Sequence, residues 1–330
     1  MSMTPILEAQ DLAKKYGDFE AIKGISFSVE ESEIFGLLGP NGAGKTTTIS
    51  VLTGILPPTS GTALIGGYDI RTQMNRVKRL TGLVPQDLAL YPTLSARANL
   101  YFFGRIYGLR GRALRERVED ALNIVSLTDR ADQPVEVLSG GLKRRVNIAA
   151  GLVHQPRLLF LDEPTVGVDV QSRNHIFESI QKLNHERGMS IIYTSHYMEE
   201  VELLCDRAAI IDEGHIIAMD TIKNLIGLLG GGVIYFGLPR VDAHLLTQIA
   251  ALPAVKEALP IEPASTGGRQ SIRTSEESTV VKVVAEHSRQ ALVSVIGWLN
   301  EQEIPLISLD ILEPSLESVF LHLTGKNLRE

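Results

Sequence analysis

The sequence predicts a mixed α/β fold for residues 1–228 and a smaller α+β domain for residues 229–330. In the first part, continuous apolar strands alternate with helical patterns, and a glycine-rich loop at residues 39–47 joins one strand to the next helix. In the second part, strand and helix patterns follow the order β-α-β-β-α-β, which is the order of a ferredoxin-like domain. We therefore expect two domains with separate cores.

The glycine-rich loop reads GPNGAGKTT and contains a complete G-x-x-x-x-G-K-[ST] pattern, the P-loop. It lies between a short apolar strand and an apolar helix pattern, and this position argues against an ordinary glycine-rich turn. Glycines let backbone amides surround phosphate oxygens, and the helix N-terminus adds partial positive charge. Lys45 would then reach the β- and γ-phosphates, and the Thr46 hydroxyl would bind Mg²⁺. The predicted nucleotide-binding residues of this loop are Gly39, Pro40, Asn41, Gly42, Ala43, Gly44, Lys45, Thr46 and Thr47.

Composition and charge exclude several classes of protein. The 330 residues are 44% hydrophobic, which supplies packed cores and argues against disorder. A formal net charge of −7 and a pI near 5.7 argue against a nucleic-acid partner. The single cysteine, Cys205, cannot form an internal disulfide and is expected to be a small buried hydrophobe. We see no secretory signal and no window apolar enough to cross a membrane, so work at a membrane would need a partner.

The first strands predict a small sheet ahead of the P-loop. Residues 6–16 and 21–30 read as strands joined by a turn at Gly17 and Asp18. Tyr16 ends the first strand in a polar neighbourhood. Its ring could stack on a nucleotide base or could be a half-buried structural tyrosine, and spacing alone does not choose between the two.

A helical subdomain is predicted at about residues 87–152, because residues 95–127 alternate apolar and charge-rich helical stretches. Within it, LSGG at residues 138–141 directly precedes an apolar helix pattern, and Ser139 is the expected N-cap. Ser139, Gly140 and Gly141 would form a second helix N-terminus able to bind phosphate.

Acidic and imidazole side chains end two later strands. LLFLDE at residues 158–163 is a continuous apolar strand that delivers Asp162 and Glu163 to the carboxyl edge of the sheet. We predict that Asp162 holds Mg²⁺ and that Glu163, facing the other way by strand alternation, polarises the water that attacks the γ-phosphate. His196 ends the following strand at the same edge. The alternatives are a solvated pair of acids and a structural or merely exposed histidine.

These residues together resemble the ATP-binding subunit of ABC transporters over residues 4–225, and LSGG is the most specific match because other P-loop ATPases lack it. The resemblance implies ATP and Mg²⁺ as cofactors. It also implies that Tyr16 contacts the base and that Asp169, in VGVD at residues 166–169, belongs to the nucleotide site. The catalytic residues that it implies are Lys45, Gln86, Glu163 and His196, and the implied metal contacts are Thr46, Gln86 and Asp162.

The partners implied by the resemblance follow from the way this family assembles. Two ATPase domains pack head to tail, and the LSGG of each caps the nucleotide on the P-loop of the other. We therefore expect a second copy or a homologous ATPase subunit, a separate transmembrane permease, and a place at the cytoplasmic face of the plasma membrane. Leu142 stands where many members have glutamine, which resembles the drug-resistance and ABC-2 exporter branch, and Val170 stands where that branch often has proline.

The last third predicts an accessory or regulatory domain. The alternative is a plain accessory domain that stabilises the dimer, and the sequence does not distinguish between dimer support and regulation. The predicted elements are strands at 233–238, 279–285 and 304–311, strand material around 256–273, helices at 241–252 and 289–301, and a last helix from Pro314.

Three functions are compatible with the sequence. The first is an energy-coupling ATPase bound to a separate permease. The second is an ABC ATPase of translation or DNA repair, but such proteins usually carry two cassettes or a long coiled coil in one chain, and neither pattern is present. The third is a ligand-sensing ATPase whose C-terminal domain binds a small molecule. The genes adjacent to this one would discriminate best among them.

Overall fold

The chain folds into two compact units that divide after Ile222. The predicted domain boundary between residues 228 and 229 stays a proposal. No helix in the described residues is long and apolar enough to cross a membrane. The computed structural model describes residues 5–228, 231–261, 279–312 and 315–324.

The first unit is built on two sheets with helices between their strands. Its strands are β1 (Leu7–Tyr16), β2 (Phe19–Val29), β3 (Ile34–Leu38), β4 (Ser60–Ile65), β5 (Tyr68–Asp69), β6 (Thr81–Val84), β7 (Leu158–Asp162), β8 (Ser190–Ser195), β9 (Arg207–Asp212) and β10 (His215–Thr221). Its α-helices are α1 (Lys45–Leu52), α2 (Met74–Leu80), α3 (Ala96–Ile106), α4 (Gly111–Ile124), α5 (Gly140–Leu152), α6 (Val170–Arg187) and α7 (Met198–Leu204), and α8 (Ile222–Gly227) follows across the division.

The smaller sheet is antiparallel and has the strand order β2-β1-β4-β5. The turn at Gly17 and Asp18 joins β1 to β2 as predicted, with Tyr16 paired to Phe19. The inner face of this sheet packs on the larger sheet, where the rings of Phe27 and Phe35 stack with their centroids 5.5 Å apart. The two sheets therefore share one hydrophobic core.

The larger sheet has the order β10-β9-β3-β8-β7-β6, and all strands are parallel except β10 at one edge. Every residue of β3 and β7 is buried, which explains why both strands are continuous apolar runs. In the register, Leu38 pairs with Ser195 and Asp162 pairs with Thr194. The ends of β3, β8 and β7 therefore meet at one edge, where the P-loop, His196 and the two acids follow.

Helices α3, α4 and α5 fall within the predicted helical subdomain. Serine caps the first and the last of them. Ser95 accepts a hydrogen bond from the Ala98 amide at 3.1 Å, and Ser139 accepts one from the Leu142 amide at 3.4 Å. The predicted N-cap at Ser139 is confirmed.

The second unit is an antiparallel four-stranded sheet with helices packed on one face. Its elements are β11 (Val233–Leu238), α9 (Ala243–Ala250), β12 (Val255–Ile261), β13 (Thr279–Ala285), α10 (Ser288–Glu301), β14 (Ser308–Leu312) and α11 (Leu316–Thr324). The strand order β12-β13-β11-β14 confirms the ferredoxin-like arrangement. Its core joins side chains of β11 and β13, such as Phe236 and Val283, to Ile249 and Val295 of the helices.

Two predicted elements of the second unit differ in length from the observed ones. β14 begins at Ser308 rather than at residue 304, because the Ile304 amide donates to the Leu299 carbonyl at the end of α10 and Pro305 has no amide hydrogen for a strand ladder. α9 is shorter than predicted because Asp242 caps it, accepting from the Leu245 amide at 2.8 Å. The strand material predicted beyond residue 261 and the helix start at Pro314 lie outside the described residues.

Candidate active site

Three glycines shape the loop between β3 and α1. A Cβ atom at Gly39 would lie 2.2 Å from the carbonyl oxygen of Ile211, and one at Gly44 would lie 2.6 Å from that of Ala21. Gly42 and Gly44 also have φ values of 81° and 111°. Any larger residue would meet a clash or a disfavoured backbone at these positions, so the conformation of the loop itself requires glycine.

The helix N-terminus behind this loop is open for an anion. α1 begins at Lys45, and its N-cap, Gly44, has no side chain to cap the first turn. The amides of that turn have no intrahelical acceptor and carry the partial positive charge of the helix dipole. The Thr48 hydroxyl donates to the Gly44 carbonyl at 2.9 Å and so holds the turn in place. The loop and helix together form a binding surface suited to phosphate.

Lys45 extends into the buried centre of this site, with only 4% of its surface exposed. Its Nζ donates to the carbonyl oxygens of Gly39 and Pro40 at 2.8 and 3.1 Å. The same atom lies 3.1 Å from Oε1 of Glu163. The carbonyls of the loop therefore aim the ammonium group, and a carboxylate from the end of β7 balances its charge.

Glu163 is the residue on which the predicted catalytic side chains converge. Besides Lys45, its carboxylate faces His196, whose Nδ1 lies 3.2 Å from Oε2, and Gln86, whose Nε2 donates to Oε2 at 3.4 Å. The structure thus brings all four predicted catalytic residues together. Glu163 is 5% exposed, so this meeting takes place out of bulk water.

The direction of Glu163 has a different cause from the predicted strand alternation. β7 ends at Asp162, and Glu163 has a φ of 45°, in the left-handed region. Such a conformation costs on the order of 1–3 kcal/mol for a residue other than glycine and is concentrated at functional sites. The Glu163 amide donates to the Thr194 hydroxyl at 2.9 Å, which helps to hold the turn. The prediction that strand alternation directs Glu163 was therefore wrong, although the carboxylates of Asp162 and Glu163 do contact different residues.

Asp162 faces the P-loop helix. Its Oδ1 accepts hydrogen bonds from the Thr194 hydroxyl at 2.8 Å and from the Thr46 hydroxyl at 3.2 Å. Burial raises the pKa of Asp162 above its usual value, and these hydrogen bonds oppose that shift. The side chains of Thr46 and Asp162 thus place two oxygen atoms beside each other at the edge of the phosphate-binding surface.

The LSGG segment and Asp169 form a second group. A Cβ atom at Gly141 would lie 2.0 Å from the Ser172 hydroxyl and 3.2 Å from Oδ2 of Asp169, so LSGG packs directly on the start of α6. Asp169 caps α6, and its hydrogen bonds from the amide and hydroxyl of Ser172 lower the pKa of its carboxyl group. Gly140 is exposed, and a Cβ atom there would meet nothing within 4 Å. In the described part of the chain, no hydrogen bond or ion pair joins this group to the P-loop.

Tyr16 lies at the end of β1 with 45% of its surface exposed. The Lys14 Nζ lies 5.5 Å from the centroid of its ring. β2 continues from the neighbouring turn to Ala21, whose carbonyl lies against Gly44 of the P-loop. The structure therefore places the half-exposed ring on the strand pair that borders the P-loop.

Thr194 is a residue of the site that was not predicted from the sequence. Its hydroxyl donates to Asp162 Oδ1 and accepts from the Glu163 amide, so it joins both acids to β8. The signal was present, because Thr194 and Ser195 are hydroxyl residues that end an otherwise apolar strand just before His196.

A family model described as "ABC transporter" matches residues 22–166, which contain the P-loop, LSGG and both acids. A relative from Bacillus subtilis, the linearmycin resistance ATP-binding protein LnrL, is 44% identical over 98% of this chain and 100% of its own length. The chain belongs to the ABC transporter family. It is an ATP-binding subunit of that family and an ATPase.

Further comparisons agree with this assignment to the ABC transporters. The Nod factor export ATP-binding protein I of Ralstonia nicotianae is 43% identical over 99% of this chain and 96% of its own length. Among solved structures, cbiO1 from Clostridium perfringens, part of the ABC transporter complex cbiONQ, has a TM-score of 0.63 and 32% identity and covers 68% of this chain and 91% of its own. A dimeric ATP-binding cassette bound to ADP and Pi has a TM-score of 0.60 and 25% identity and covers 65% of this chain and 98% of its own.

Proposed function

We propose that this subunit powers an exporter of the ABC-2 or drug-resistance branch, and that it does so bound to a separate membrane permease. The supporting observation is the similarity to resistance and export proteins along nearly the whole chain, including its last third. Besides LnrL and the Nod factor export protein, the daunorubicin resistance protein DrrA2 of Streptomyces coeruleorubidus is 35% identical over 97% of this chain. These names support a drug or another exported compound as the cargo.

The roles proposed for the site follow from its contacts. The Lys45 ammonium group is paired with Glu163. When ATP binds, the β- and γ-phosphates compete for this ammonium group, which then neutralises part of their charge. Glu163 accepts a proton from the attacking water, and its 3.2 Å contact with His196 orients it for that task. Gln86 donates a hydrogen bond to the same Oε2 atom of Glu163. Its proposed role is to couple changes at this site to the helical subdomain.

Mg²⁺ fits the residues present. The neighbouring oxygens of Thr46 and Asp162 are the hard donors that this ion prefers, and Gln86 adds an amide oxygen nearby. In the described residues, no cluster of three or more His, Cys, Asp or Glu side chains is placed to hold a metal by itself. That agrees with an ion held mainly by substrate phosphates and water, as is usual for Mg²⁺. When bound, it would neutralise charge that develops on the phosphates.

A shared site between two copies, or between this chain and a homologous ATPase, accounts for the LSGG geometry. Gly140 is exposed, and among the described residues no neighbour requires a glycine there. A phosphate approaching from a second subunit would require that space and would meet the N-terminus of α5. Asp169, next to Gly141, would lie at the same face.

Nucleotide affinity tests the role of Tyr16. We expect Tyr16→Ala to weaken ATP binding by about tenfold to a hundredfold, because base–aromatic stacking is worth roughly 1–3 kcal/mol. Tyr16→Phe keeps the ring and should bind ATP like the unchanged protein. A fluorescent-nucleotide titration in which Tyr16→Ala loses nothing would make Tyr16 a structural residue.

Truncation tests the role of the second unit. We propose that residues 229–330 are accessory or regulatory, so a chain that ends at residue 230 and carries Glu163→Gln should still dimerise with saturating Mg-ATP and separate without it. Size-exclusion chromatography with and without nucleotide measures this. If the truncated protein stays a monomer in both conditions, the second unit is a required dimerisation element.

The proposed permease contact lies on the helical subdomain. Leu88, Tyr91, Phe102, Ile106 and Tyr107 are each between 38% and 63% exposed. Exposed apolar side chains in contact with one another usually mark an interaction site, and the ring centroids of Tyr91 and Phe102 lie 4.8 Å apart. We place the assembly at the cytoplasmic face of the plasma membrane, where ATP is supplied.

Efflux measurements test the exporter assignment. Deleting the gene in its host should raise the cellular accumulation of drugs such as daunorubicin, measured as the amount of drug that the cells retain. The unchanged gene should restore efflux, and the Glu163→Gln gene should not. If deletion leaves accumulation of every such compound unchanged and lowers uptake of a nutrient instead, the exporter proposal is wrong.

A further inference from the structure

Glu200 is a buried carboxylate beside the ATPase centre that the roles above do not use. It lies on α7 with 3% of its surface exposed. Its Oε2 accepts hydrogen bonds from three hydroxyls, those of Tyr193 at 2.8 Å, Thr165 at 2.9 Å and Ser195 at 2.9 Å. A buried carboxylate is unfavourable unless such donors compensate its lost hydration. The cluster is therefore organised around the charge of Glu200.

Two of the three donors belong to the segments that carry catalytic residues. Ser195 directly precedes His196, and its Oγ also accepts a hydrogen bond from the Tyr197 amide at 2.9 Å. The Ser195 hydroxyl thus links Glu200 to the backbone on the far side of His196. Thr165 lies in the loop between Glu163 and Asp169. Tyr193 lies two residues before Ser195 in β8, and its hydroxyl also lies 3.4 Å from that of Thr165. Removing the Tyr193 hydroxyl would leave Thr165 and Ser195 hydrogen-bonded to Glu200.

A fourth group faces Glu200 without completing a hydrogen bond. The Nε of Arg173, on α6, lies 3.7 Å from Oε1 of Glu200. Both atoms are buried, and within the residues that the structure describes neither has a hydrogen-bond partner. The guanidinium of Arg173 also lies 5.8 Å from the ring centroid of Tyr197, which in turn lies 4.1 Å from that of His196. A small shift of the N-terminus of α6 would close the contact with Glu200.

We propose that Glu200 is a positioning residue that joins the 165–169 loop and α6 to His196, and through His196 to Glu163. The proposal rests on the proposed function, because it takes Glu163 and His196 to act in hydrolysis. Gly141 of LSGG packs against Ser172 at the start of α6. A displacement of the LSGG segment would therefore be transmitted through α6, by the contacts of Arg173 and Thr165 with Glu200, to His196.

Steady-state hydrolysis by the full-length chain provides the first test. Glu200→Gln keeps the size of the side chain and removes the charge that the hydroxyls and Arg173 face. We expect kcat to fall by about tenfold or more, since small misplacements of catalytic groups have such effects. The KM for ATP should change by less than about twofold, because Glu200 has no contact with the P-loop.

Single-hydroxyl variants separate positioning from general stability. Thr165→Val and Ser195→Ala each remove one donor that leads to a catalytic segment, and each should lower kcat by about threefold to tenfold. Tyr193→Phe removes a donor from the same carboxylate and should stay within about twofold of the unchanged protein. A merely structural role would make all three variants alike, with losses that follow their unfolding temperatures.

A double-mutant cycle tests the route through His196. In single-turnover measurements on a His196→Ala background, Glu200→Gln should cost no more than about twofold, because its effect has already been removed. The proposal is overturned if Glu200→Gln keeps normal kcat, if its loss multiplies with that of His196→Ala, or if Tyr193→Phe loses as much as Ser195→Ala. Should Glu200→Gln not fold, full kcat in both Thr165→Val and Ser195→Ala overturns it. An active Glu163→Gln protein would instead contradict the proposed function.

Discussion

Replacing Glu163 with glutamine is expected to stop ATP hydrolysis and to leave ATP binding intact. The amide keeps the size of the side chain but cannot accept a proton from water. Loss of a general base typically costs about 10²- to 10⁴-fold in rate. The state with two bound ATP molecules should therefore persist, and the protein should run as a dimer in Mg-ATP.

The ion pair with Lys45 sharpens this prediction. Because Glu163 Oε1 lies 3.1 Å from the Lys45 ammonium group, phosphates must compete with it. The glutamine variant removes that competition, so its affinity for ATP should equal or exceed that of the unchanged protein. Glu186→Gln, at an exposed position on the same chain, is the matched control and should change neither quantity. Normal hydrolysis by Glu163→Gln would show that another group is the base.

Ser139→Arg is expected to abolish hydrolysis while each isolated subunit still binds ATP. The arginine adds bulk and removes the cap of α5 at the open face beside Gly140. Under the shared-site proposal, this surface closes on the nucleotide of the second subunit. The P-loop of the same chain is untouched, so a fluorescent-nucleotide titration of the monomer should be unchanged.

A second serine provides the control for this experiment. Ser95 caps α3 as Ser139 caps α5, so Ser95→Arg also loses a helix cap and gains a long cation. Cap loss costs about 1 kcal/mol in either case. Ser95 is partly buried and Ser139 is exposed, so Ser95→Arg is at least as demanding for folding. Ser95→Arg should keep most of the ATPase activity. Undiminished hydrolysis by Ser139→Arg would contradict the shared-site mechanism itself.

Local signals in the sequence were enough to predict several elements. Gly39 and Gly44 mark positions where the backbone approaches a neighbouring carbonyl, and the lysine and threonine after them begin a helix. Ser139 was identified as an N-cap because capping depends on a few adjacent residues. The β-α-β-β-α-β order was also sufficient for the ferredoxin-like second unit.

Other features depend on contacts between distant parts of the chain. The hydrogen bond from Gln86 to Glu163 spans 77 residues, and the contact of His196 with Glu163 spans 33. Strand periodicity failed for Glu163, because a hydrogen bond to Thr194 of the neighbouring strand holds it in a left-handed turn. β14 begins at Ser308, after the predicted residue 304, because the Ile304 amide donates to a carbonyl at the end of α10.

The P-loop, the helix cap at LSGG, the buried strands and the family could be predicted from the sequence alone, because short-range backbone requirements and motif spacing carry that information. The fold was needed to show which side chains meet at Glu163, how Thr194 joins the two acids, and that Glu200 accepts hydrogen bonds from three hydroxyls beside His196. These contacts depend on the parallel register that pairs Leu38 with Ser195 and Asp162 with Thr194. A register is set by packing across strands far apart in the chain, which no local pattern records.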